Sequence, residues 1–340
     1  MTNGTLGTFL QRVAAAGSGD PRAADWLAGE QSAIRAAATG QNSKIPHDGG
    51  FLVAGEHANE LFDRVFATGA LLSRCRRVSM TRPKRAMAVV DERSRANGSR
   101  FGGLALNWLD EGELIRTSRA QFRVNNLQAN RLAGVCFVTD ELLEDADVLE
   151  DAFRQMFTLE AAHVLEDLAL NGSGAGRPLG VLESPALVTV PKTSGQAAAT
   201  ITAANVADMA ARLWPGSWSS AVWAVSQTAL PQLLVLAGAS VNQLTFVDGG
   251  MQLLGRPVIV MEQCPPLGTV GDIILFDPAQ YVIGERSRAL DLSLDIGFME
   301  DQGAFRFTLR VDGQPLWHTA TLPQNGGASV SPFIALAERA

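Results

Sequence analysis

The residue types that most often bind metals or carry catalysis are few in this sequence and lie far apart. The four histidines, His47, His57, His163 and His318, form no His-Glu-x-x-His motif, and the three cysteines form no Cys-x-x-Cys pair. A zinc site needs such spacing because three or four ligands must converge on one ion. The sequence therefore predicts neither a metal centre nor a cofactor.

A glycine-rich run at residues 172–176, Gly-Ser-Gly-Ala-Gly, has the composition of a phosphate-binding loop. A dinucleotide-binding loop follows a strand and opens a helix, whereas this run follows a helical pattern. It is not a Gly-x-Ser-x-Gly nucleophile elbow either, because Asn171 and Ala175 occupy the outer glycine positions. We interpret the run as a turn.

Acidic pairs at Asp110-Glu111 and Glu300-Asp301 fall in stretches whose pattern is typical of loops. Paired carboxyl groups can act as general acid and base when their environments separate their pKa values. A hydrolase that used Asp110 and Glu111 would therefore need a concave pocket around them. This is the enzymatic alternative, and the remaining sequence does not favour it.

The overall composition describes a globular chain with a sizeable core. Of its 340 residues, 46% are hydrophobic and 19% are charged, and no run of about 18 apolar residues is present that could span a membrane. The N-terminus lacks the basic and apolar regions of a secretory signal. The cysteines, Cys75, Cys136 and Cys264, are odd in number and widely spaced, which is typical of free thiols in a reducing compartment.

Charge is distributed unevenly along the chain. The net charge is −7, which disfavours a dedicated nucleic-acid binder. Residues 74–131 nevertheless carry 13 Lys and Arg against 5 Asp and Glu, a net +8, while residues 139–170 carry 10 Asp and Glu against one Arg, a net −9. These segments are either two solvated faces or complementary contact surfaces, within the chain or between copies of it.

The elements that would position these residues alternate between helix and strand, which predicts an α+β fold. Residues 76–92 and 116–124 have strand patterns, the second with Ala120, Phe122 and Val124 alternating with polar residues. About 23 residues separate them, and loops of that length are usually functional. A long two-stranded arm is only marginally stable alone, so we expect it to lie on a surface, which can belong to another molecule.

Two helices carry clear signals. Asp147, with Glu150 three residues later, resembles a capping box that opens a helix of about 20 residues ending at Asn171-Gly172. A shorter helix, with Val206 and Met209 on one face, follows Thr202 as its cap. Thr139 is predicted to cap a short helix through residue 145.

Five groups of motifs occur in order between residues 49 and 322. They are Gly-Gly-Phe-Leu-Val at 49–53; Asn-Trp-Leu-Asp-Glu-Gly at 107–112; Thr-Asp-Glu-Leu-Leu-Glu-Asp at 139–145; Asn-Gly-Ser-Gly-Ala-Gly-Arg-Pro-Leu-Gly at 171–180; and Leu-Gly-Arg-Pro-Val at 254–258, with Cys-Pro at 264–265 and Gly-Asp at 271–272. Each is modest alone, but in this order they resemble the major capsid proteins of tailed bacteriophages with the Hong-Kong-97-type fold.

The resemblance implies an N-terminal arm at 1–50 and an extended loop, the E-loop, at 78–124. It implies a P-domain at 51–77, 125–197 and 276–322 with a spine helix at about 147–170, and an A-domain at 198–275 and 323–340. It further implies a protein that is not an enzyme and that assembles as hexamers and pentamers into an icosahedral shell around double-stranded DNA. Portal and scaffolding proteins, and a cement protein, are the implied partners, with assembly in the host bacterial cytoplasm. An encapsulin-type nanocompartment and a gene transfer agent capsid are the alternatives within this fold.

Three sets of residues are candidates for assembly. The E-loop residues expected to contact another subunit are Arg93, Arg95, Arg100, Phe101, Trp108 and Glu111, and aromatic side chains that would indicate stacking on nucleic acid are sparse among them. The acidic face of the spine helix comprises Asp147, Glu150, Asp151 and Glu160. The turn after that helix comprises Asn171, Gly172, Gly174, Gly176, Pro178 and Gly180.

Two features depart from the pattern of some family members. Only about 48 residues precede the first motif, so we expect a separate scaffolding protein in place of a long cleaved segment. The lysines are Lys44, Lys84 and Lys192, none near the loop tip, so we expect no covalent cross-link through an E-loop lysine.

Overall fold

The structure is a computed structural model of the chain that describes residues 22–23, 25, 50–52, 64–112, 114, 117–139, 146–238, 244–247, 250–297 and 302–339. Most of the predicted N-terminal arm and the helix predicted at 140–145 lie outside these residues. No helix among them is both long enough and apolar enough to cross a membrane.

Helices and strands alternate along the described residues, in agreement with the predicted α+β class. In chain order the elements are β1 (Gly50–Leu52), β2 (Arg76–Ser79), β3 (Lys84–Val90), β4 (Phe122–Gln128), β5 (Asn130–Thr139), α1 (Ala146–Asn171), β6 (Val188–Val190), α2 (Ala203–Arg212), β7 (Val222–Ser226), α3 (Leu230–Gly238), β8 (Leu244–Val247), β9 (Gly250–Leu253), β10 (Arg256–Met261), β11 (Ile273–Phe276), β12 (Tyr281–Gly297), β13 (Gln302–Pro315) and β14 (Phe333–Leu336).

The chain divides into two compact units. The described parts of the first unit lie within residues 1–69, 130–162 and 285–311, and the second unit comprises residues 70–129, 163–284 and 312–340. The first unit is built on the antiparallel pairing of β5 with β13, which runs from Thr139 opposite Gln302 to Asn130 opposite Val311. In the same sheet β13 neighbours β12, and β12 pairs with β1.

The second unit is built around a seven-stranded sheet in the order β6-β14-β11-β7-β10-β9-β8. Its central strands β7, β11 and β14 are buried at every position, because apolar residues on both of their faces are covered. Trp223 is fully buried there, and its indole N–H donates to the Leu253 carbonyl at 3.0 Å. Strands buried on both faces read as continuous apolar runs, as Ile-Ile-Leu-Phe in β11 does.

A local signal places α2 where the sequence predicts it, and a two-residue turn joins β9 to β10. Thr202 caps α2: its hydroxyl accepts from the Asn205 amide at 3.3 Å, while the Asn205 side chain accepts from the Thr202 amide at 3.0 Å. Leu254 and Gly255 have φ of +51° and +72°. Positive φ at both central residues matches the twist of a two-residue hairpin.

Candidate assembly surface

The predicted E-loop begins as a two-stranded ribbon. Strands β3 and β4 pair antiparallel, from Lys84 opposite Gln128 to Val90 opposite Phe122. Strand β4 begins at Phe122, and residues 117–121 before it form no regular secondary structure, although the Asp91 amide still donates to the Gln121 carbonyl at 3.0 Å. The two strands are joined by the 31 residues between Val90 and Phe122.

In β4 the apolar face is exposed and the polar face is buried, which is the reverse of a usual half-buried strand. The apolar side chains Phe122 and Val124 are 67% and 55% exposed, whereas Arg123 is half-buried and Asn125 is buried. The Asn125 amide donates to the Pro315 carbonyl at 3.1 Å, which fixes the polar face inward. The apolar face of β4 is therefore left uncovered in a single chain.

The base of the loop is tied to the chain near residue 322. The Arg95 amide donates to the Leu322 carbonyl at 2.9 Å, and the Thr321 hydroxyl donates to the Glu92 carbonyl at 2.9 Å. Arg95 forms a bidentate ion pair with Glu92, and its guanidinium lies 5.9 Å from the centroid of the Trp214 ring. Within the chain, Arg95 thus holds the loop base in place.

Of the other predicted loop arginines, Arg93 pairs with Asp91 at 3.1 Å while remaining largely exposed. Arg100 is also exposed, and the backbone amide at Arg100 donates to the Leu104 carbonyl at 2.8 Å. These two guanidiniums are therefore accessible to another molecule.

A glycine pair redirects the loop after Arg100. Gly102 and Gly103 have φ of +74° and +132°, and a Cβ on Gly102 would lie 2.7 Å from the Gln121 carbonyl oxygen. A Cβ on Gly103 would lie 2.6 Å from the Arg119 carbonyl oxygen. Because only glycine allows both the conformation and the close approach, these two residues fix the direction of the segment that follows.

The tip of the loop, residues 104–114, presents apolar side chains to solvent. Trp108 is fully exposed, Leu106 is 94% exposed and Leu114 is 89% exposed, while Glu111 is also exposed. Exposed apolar residues in one place mark an interaction site more often than scattered ones do. The tip therefore has the composition of a contact segment.

A cleft of about 390 Å³ lies at the loop base, and a second cavity of about 370 Å³ adjoins it through the shared residues Arg123, Trp317 and His318. The Trp317 ring packs against Trp214 with centroids 5.2 Å apart, and its N–H donates to Gln280 at 3.1 Å. Burial lowers the pKa of His318, and the Arg123 guanidinium lowers it further. The cleft is thus lined by two tryptophan rings together with arginine and acidic side chains.

The acidic helix face is described only in part. Helix α1 begins at Ala146, so Asp147 lies inside its first turn, and the predicted capping box at Asp147 is wrong. Because the side chains of Asp147, Glu150 and Asp151 lie outside the described part, their shared face stays a prediction. Glu160 is described and exposed.

The glycine-rich run after α1 is a turn, as predicted. The Gly180 amide donates to the Gly172 carbonyl at 2.7 Å, and the Gly174 amide donates to the Pro178 carbonyl at 3.2 Å. The Asn171 amide donates to Asp167 and to the Gln263 carbonyl, both at 2.8 Å. Gly176 has a φ of +69°. These contacts fold the segment back onto the end of the helix.

Buried ionisable groups in the second unit have structural partners. Glu166 accepts from the Leu71 amide at 2.8 Å, and burial raises its pKa. Asp312 accepts from the Gln128 amide at 2.7 Å, and burial raises its pKa as well. Within the described ranges, no three His, Cys, Asp or Glu residues converge as metal ligands would.

The loop therefore exposes apolar side chains in a single chain, and comparison with known families shows what kind of protein carries it. The family model of the phage capsid family matches residues 49–321. The chain belongs to the phage capsid family. Accordingly, it is a structural protein of a virion capsid and not an enzyme.

Solved structures of phage capsids share the fold. The chain is similar to the capsid of an empty GTA particle, with 18% identity, a TM-score of 0.58, and coverage of 91% of this chain and 98% of that one. It is similar to a structure from Microbacterium phage Oxtober96, with 16% identity, a TM-score of 0.52, and coverage of 91% of this chain and 98% of that one. It is also similar to the satellite phage P4 procapsid including the size determination (Sid) protein, with 10% identity, a TM-score of 0.54, and coverage of 92% of this chain and 98% of that one. These likenesses confirm the Hong-Kong-97-type fold. A search of curated proteins finds no match.

The cleft is the part of this surface that sequence reasoning missed. Trp214 and Trp317 are about a hundred positions apart in the sequence, so nothing local indicates that their rings touch. The residue type is the signal that the sequence offers, because tryptophan is rarely buried completely and its indole N–H needs a hydrogen-bond partner. Arg123 is one of the polar residues that alternate with Phe122 and Val124, and that pattern does not place it in a cleft.

Proposed function

We propose that this chain is the major capsid protein of a tailed bacteriophage, and that it assembles as hexamers and pentamers into an icosahedral shell enclosing double-stranded DNA. Membership of the phage capsid family supports the shell role. Beyond that role, we propose the hexamers, the pentamers and the packaged double-stranded DNA.

The observation that carries the proposal is the apolar surface that one chain leaves uncovered. The loop tip exposes Leu106, Trp108 and Leu114, and the ribbon exposes Phe122 and Val124. Buried aromatic and aliphatic anchors supply most of the binding energy of protein interfaces. Neighbouring copies that cover these residues would gain that energy, and weak contacts repeated around a closed shell add up to a stable particle.

Opposite charges give the contacts a register. The loop segment is strongly basic and the α1 segment is strongly acidic. Arg93 is exposed on the loop and Glu160 is exposed on the helix. We expect exposed loop arginines to lie near acidic helix residues of an adjacent subunit, where charge complementarity selects orientation more than it adds affinity.

The net charge suits a container for DNA. A chain of net charge −7 offers few cations for release of phosphate counterions. The inner surface would therefore hold packaged DNA loosely and without sequence preference. Portal, scaffolding and cement proteins complete the proposed set of partners, and assembly in the bacterial cytoplasm is part of the same proposal.

The test is to express the full chain alone and to examine it by light scattering and negative-stain electron microscopy. Uniform rings or shells would support self-assembly. A 36 kDa monomer that stays monomeric when its scaffolding and portal genes are co-expressed would contradict it. Neighbouring genes for a portal, a protease and a terminase separate a phage capsid from a nanocompartment, whose neighbour would encode a cargo enzyme with a C-terminal targeting peptide.

A further inference from the structure

Two neighbouring cavities of the second unit share part of their lining. The cleft at the loop base has a volume of about 390 Å³, and the cavity beside it has a volume of about 370 Å³. Arg123, Trp317 and His318 line both of them. Each volume lies within the range of roughly 300–1,000 Å³ that is usual for small-molecule sites. A ligand that contacts the shared residues therefore has room for two chemically different parts.

The cleft offers aromatic rings whose positions are already fixed. The Trp317 N–H donates to the Gln280 side chain at 3.1 Å, and its ring centroid lies 5.2 Å from that of Trp214. A Cβ on Gly216 would overlap the Trp214 ring, so the backbone at this glycine supports that ring. Both indoles are half-buried and line the cleft. A planar ligand can stack on them without the cost of first ordering a mobile side chain.

The cleft also offers guanidinium groups that lack a carboxylate partner. Its two lining carboxylates each pair with an arginine of their own loop segment. Arg100 and Arg123 form no ion pair with any residue that the structure describes. Burial lowers the pKa of His318, and among the charged neighbours Arg123 lowers it by more than Asp91 raises it. Positive charge therefore prevails at the part of the lining that the two cavities share.

We infer that this cleft binds a nucleotide, with the base stacked on Trp317 and the phosphate on the guanidiniums of Arg123 and Arg100. Aromatic side chains stack on any base, because every base has a π face, and arginine matches phosphate with two parallel hydrogen bonds. A ring without an anion would leave the guanidiniums unneutralised, and an anion without a ring would leave the indoles uncovered. The inference goes beyond the proposed shell function, since one chain supplies all of these residues.

The fold supplies the stacking surface that the loop sequence lacks. Aromatic residues are sparse around the loop arginines in the sequence, and Trp214 and Trp317 reach the cleft from segments much later in the chain. The chain as a whole has a net charge of −7, so affinity for a phosphate has to come from this local site. A free nucleotide and an unpaired nucleotide of a strand present the same base and phosphate, and the test distinguishes these two sources.

Isothermal titration calorimetry of the full chain with AMP, adenosine and inorganic phosphate tests whether both parts of the ligand are recognised. We expect AMP to bind at least about tenfold more tightly than either of the others, because each of them leaves half of the site uncovered. Equal affinity for AMP and adenosine, or for AMP and phosphate, would overturn the inference.

A single-stranded decamer of deoxyadenosine and its duplex identify the source of the nucleotide. Tighter binding of the single strand than of AMP would support an unpaired nucleotide of a strand, and no gain over AMP would support a free nucleotide. Binding of the duplex that is tighter than that of both the single strand and AMP would overturn the inference, because general attraction of phosphates would then explain it.

Substitutions in the cleft test the assigned contacts. Trp317→Ala is expected to weaken AMP binding at least about fivefold, whereas Trp317→Phe keeps a flat ring and should retain most of it. Arg123→Ala is expected to weaken AMP binding at least about fivefold and to leave adenosine binding unchanged. Arg119→Ala is the matched control, because this exposed arginine lies on the same limb of the loop and does not line the cleft.

Thermal melting confirms that each variant is folded, and Arg100→Ala, at an exposed position, replaces Arg123→Ala if the latter unfolds. Equal loss of AMP binding from Arg119→Ala and Arg123→Ala would overturn the inference, as would an equal loss of AMP and adenosine binding in Arg123→Ala. Shells that form from a chain without affinity for AMP would overturn the inference and leave the shell function standing. A chain that binds AMP as described but never assembles would support the inference and contradict the shell function.

Discussion

The substitution Arg339→Met should destabilise the second unit more than any other single change near the chain end. The Arg339 side chain is fully buried and forms an ion pair with Asp272, which is fully buried as well. Its guanidinium also donates to the Thr200 carbonyl at 2.6 Å and to the Ala337 carbonyl at 3.0 Å. All three partners would lose a charged donor in the variant.

The expected loss of stability follows from the buried carboxylate that remains in the variant. After the substitution the Asp272 carboxylate is still buried, with only the Gly268 and Ile273 amides, both at 2.9 Å, as partners. Removing one member of a buried ion pair costs about 3–5 kcal/mol, because an uncompensated charge remains in the interior. At roughly 2 °C or more per kcal/mol, the melting temperature should fall by at least about 6 °C.

Thermal unfolding followed by circular dichroism measures the effect, with light scattering used to confirm equal assembly states. Glu338→Gln is the matched control, because Glu338 is exposed and adjacent in sequence, and we expect it to change stability by less than about 0.5 kcal/mol. The double variant Asp272→Asn, Arg339→Met should lose less than the sum of the single variants. A variant Arg339→Met that melts with the wild type would refute the argument that this pair anchors the chain end.

Further predictions concern close packing, pH and thiol reactivity. Gly172→Ala should destabilise the protein by about 1–3 kcal/mol, because the added Cβ would overlap two backbone carbonyls. Gly134→Ala is the control and should be nearly neutral, because a Cβ at that position meets open space. Equal urea midpoints for the two variants would contradict this prediction. Burial raises the pKa of Glu166, so its contribution to stability is complete below the ordinary carboxyl pKa and is lost as pH rises through the raised value. The stability of Glu166→Gln relative to the wild type should therefore be greater at pH 7 than at pH 4. Urea midpoints of the two proteins that change in parallel across that pH range would count against this. Burial raises the pKa of Cys75 and of Cys264 to about 12, so two of the three thiols should resist Ellman's reagent until the chain unfolds; rapid labelling of all three in the native protein would be inconsistent with this burial.

Local chemistry made several elements predictable. Helix α2 follows from Thr202 and the apolar spacing of Val206 and Met209, since a cap and one buried face suffice to specify a short helix. The turn after α1 follows from its glycines. Gly174 and Gly176 have positive φ, which glycine adopts without steric cost because it has no Cβ. The order of the motifs indicated the family in the same way, since each motif can be recognised in a short window.

Tertiary structure alone decided which surfaces are free and which distant residues meet. The alternation in β4 identifies two faces but does not say which one is covered, and the hydrogen bond from Asn125 to residue 315 turns the polar face inward. The same holds for the Asp272–Arg339 pair and for the cleft between Trp214 and Trp317, whose members are separated by 67 residues or more. Sequence by itself determined the local elements and the family, because these depend on neighbours along the chain. The cleft, the exposed apolar ribbon and the buried ion pair depend on contacts between segments, which only the folded chain brings together.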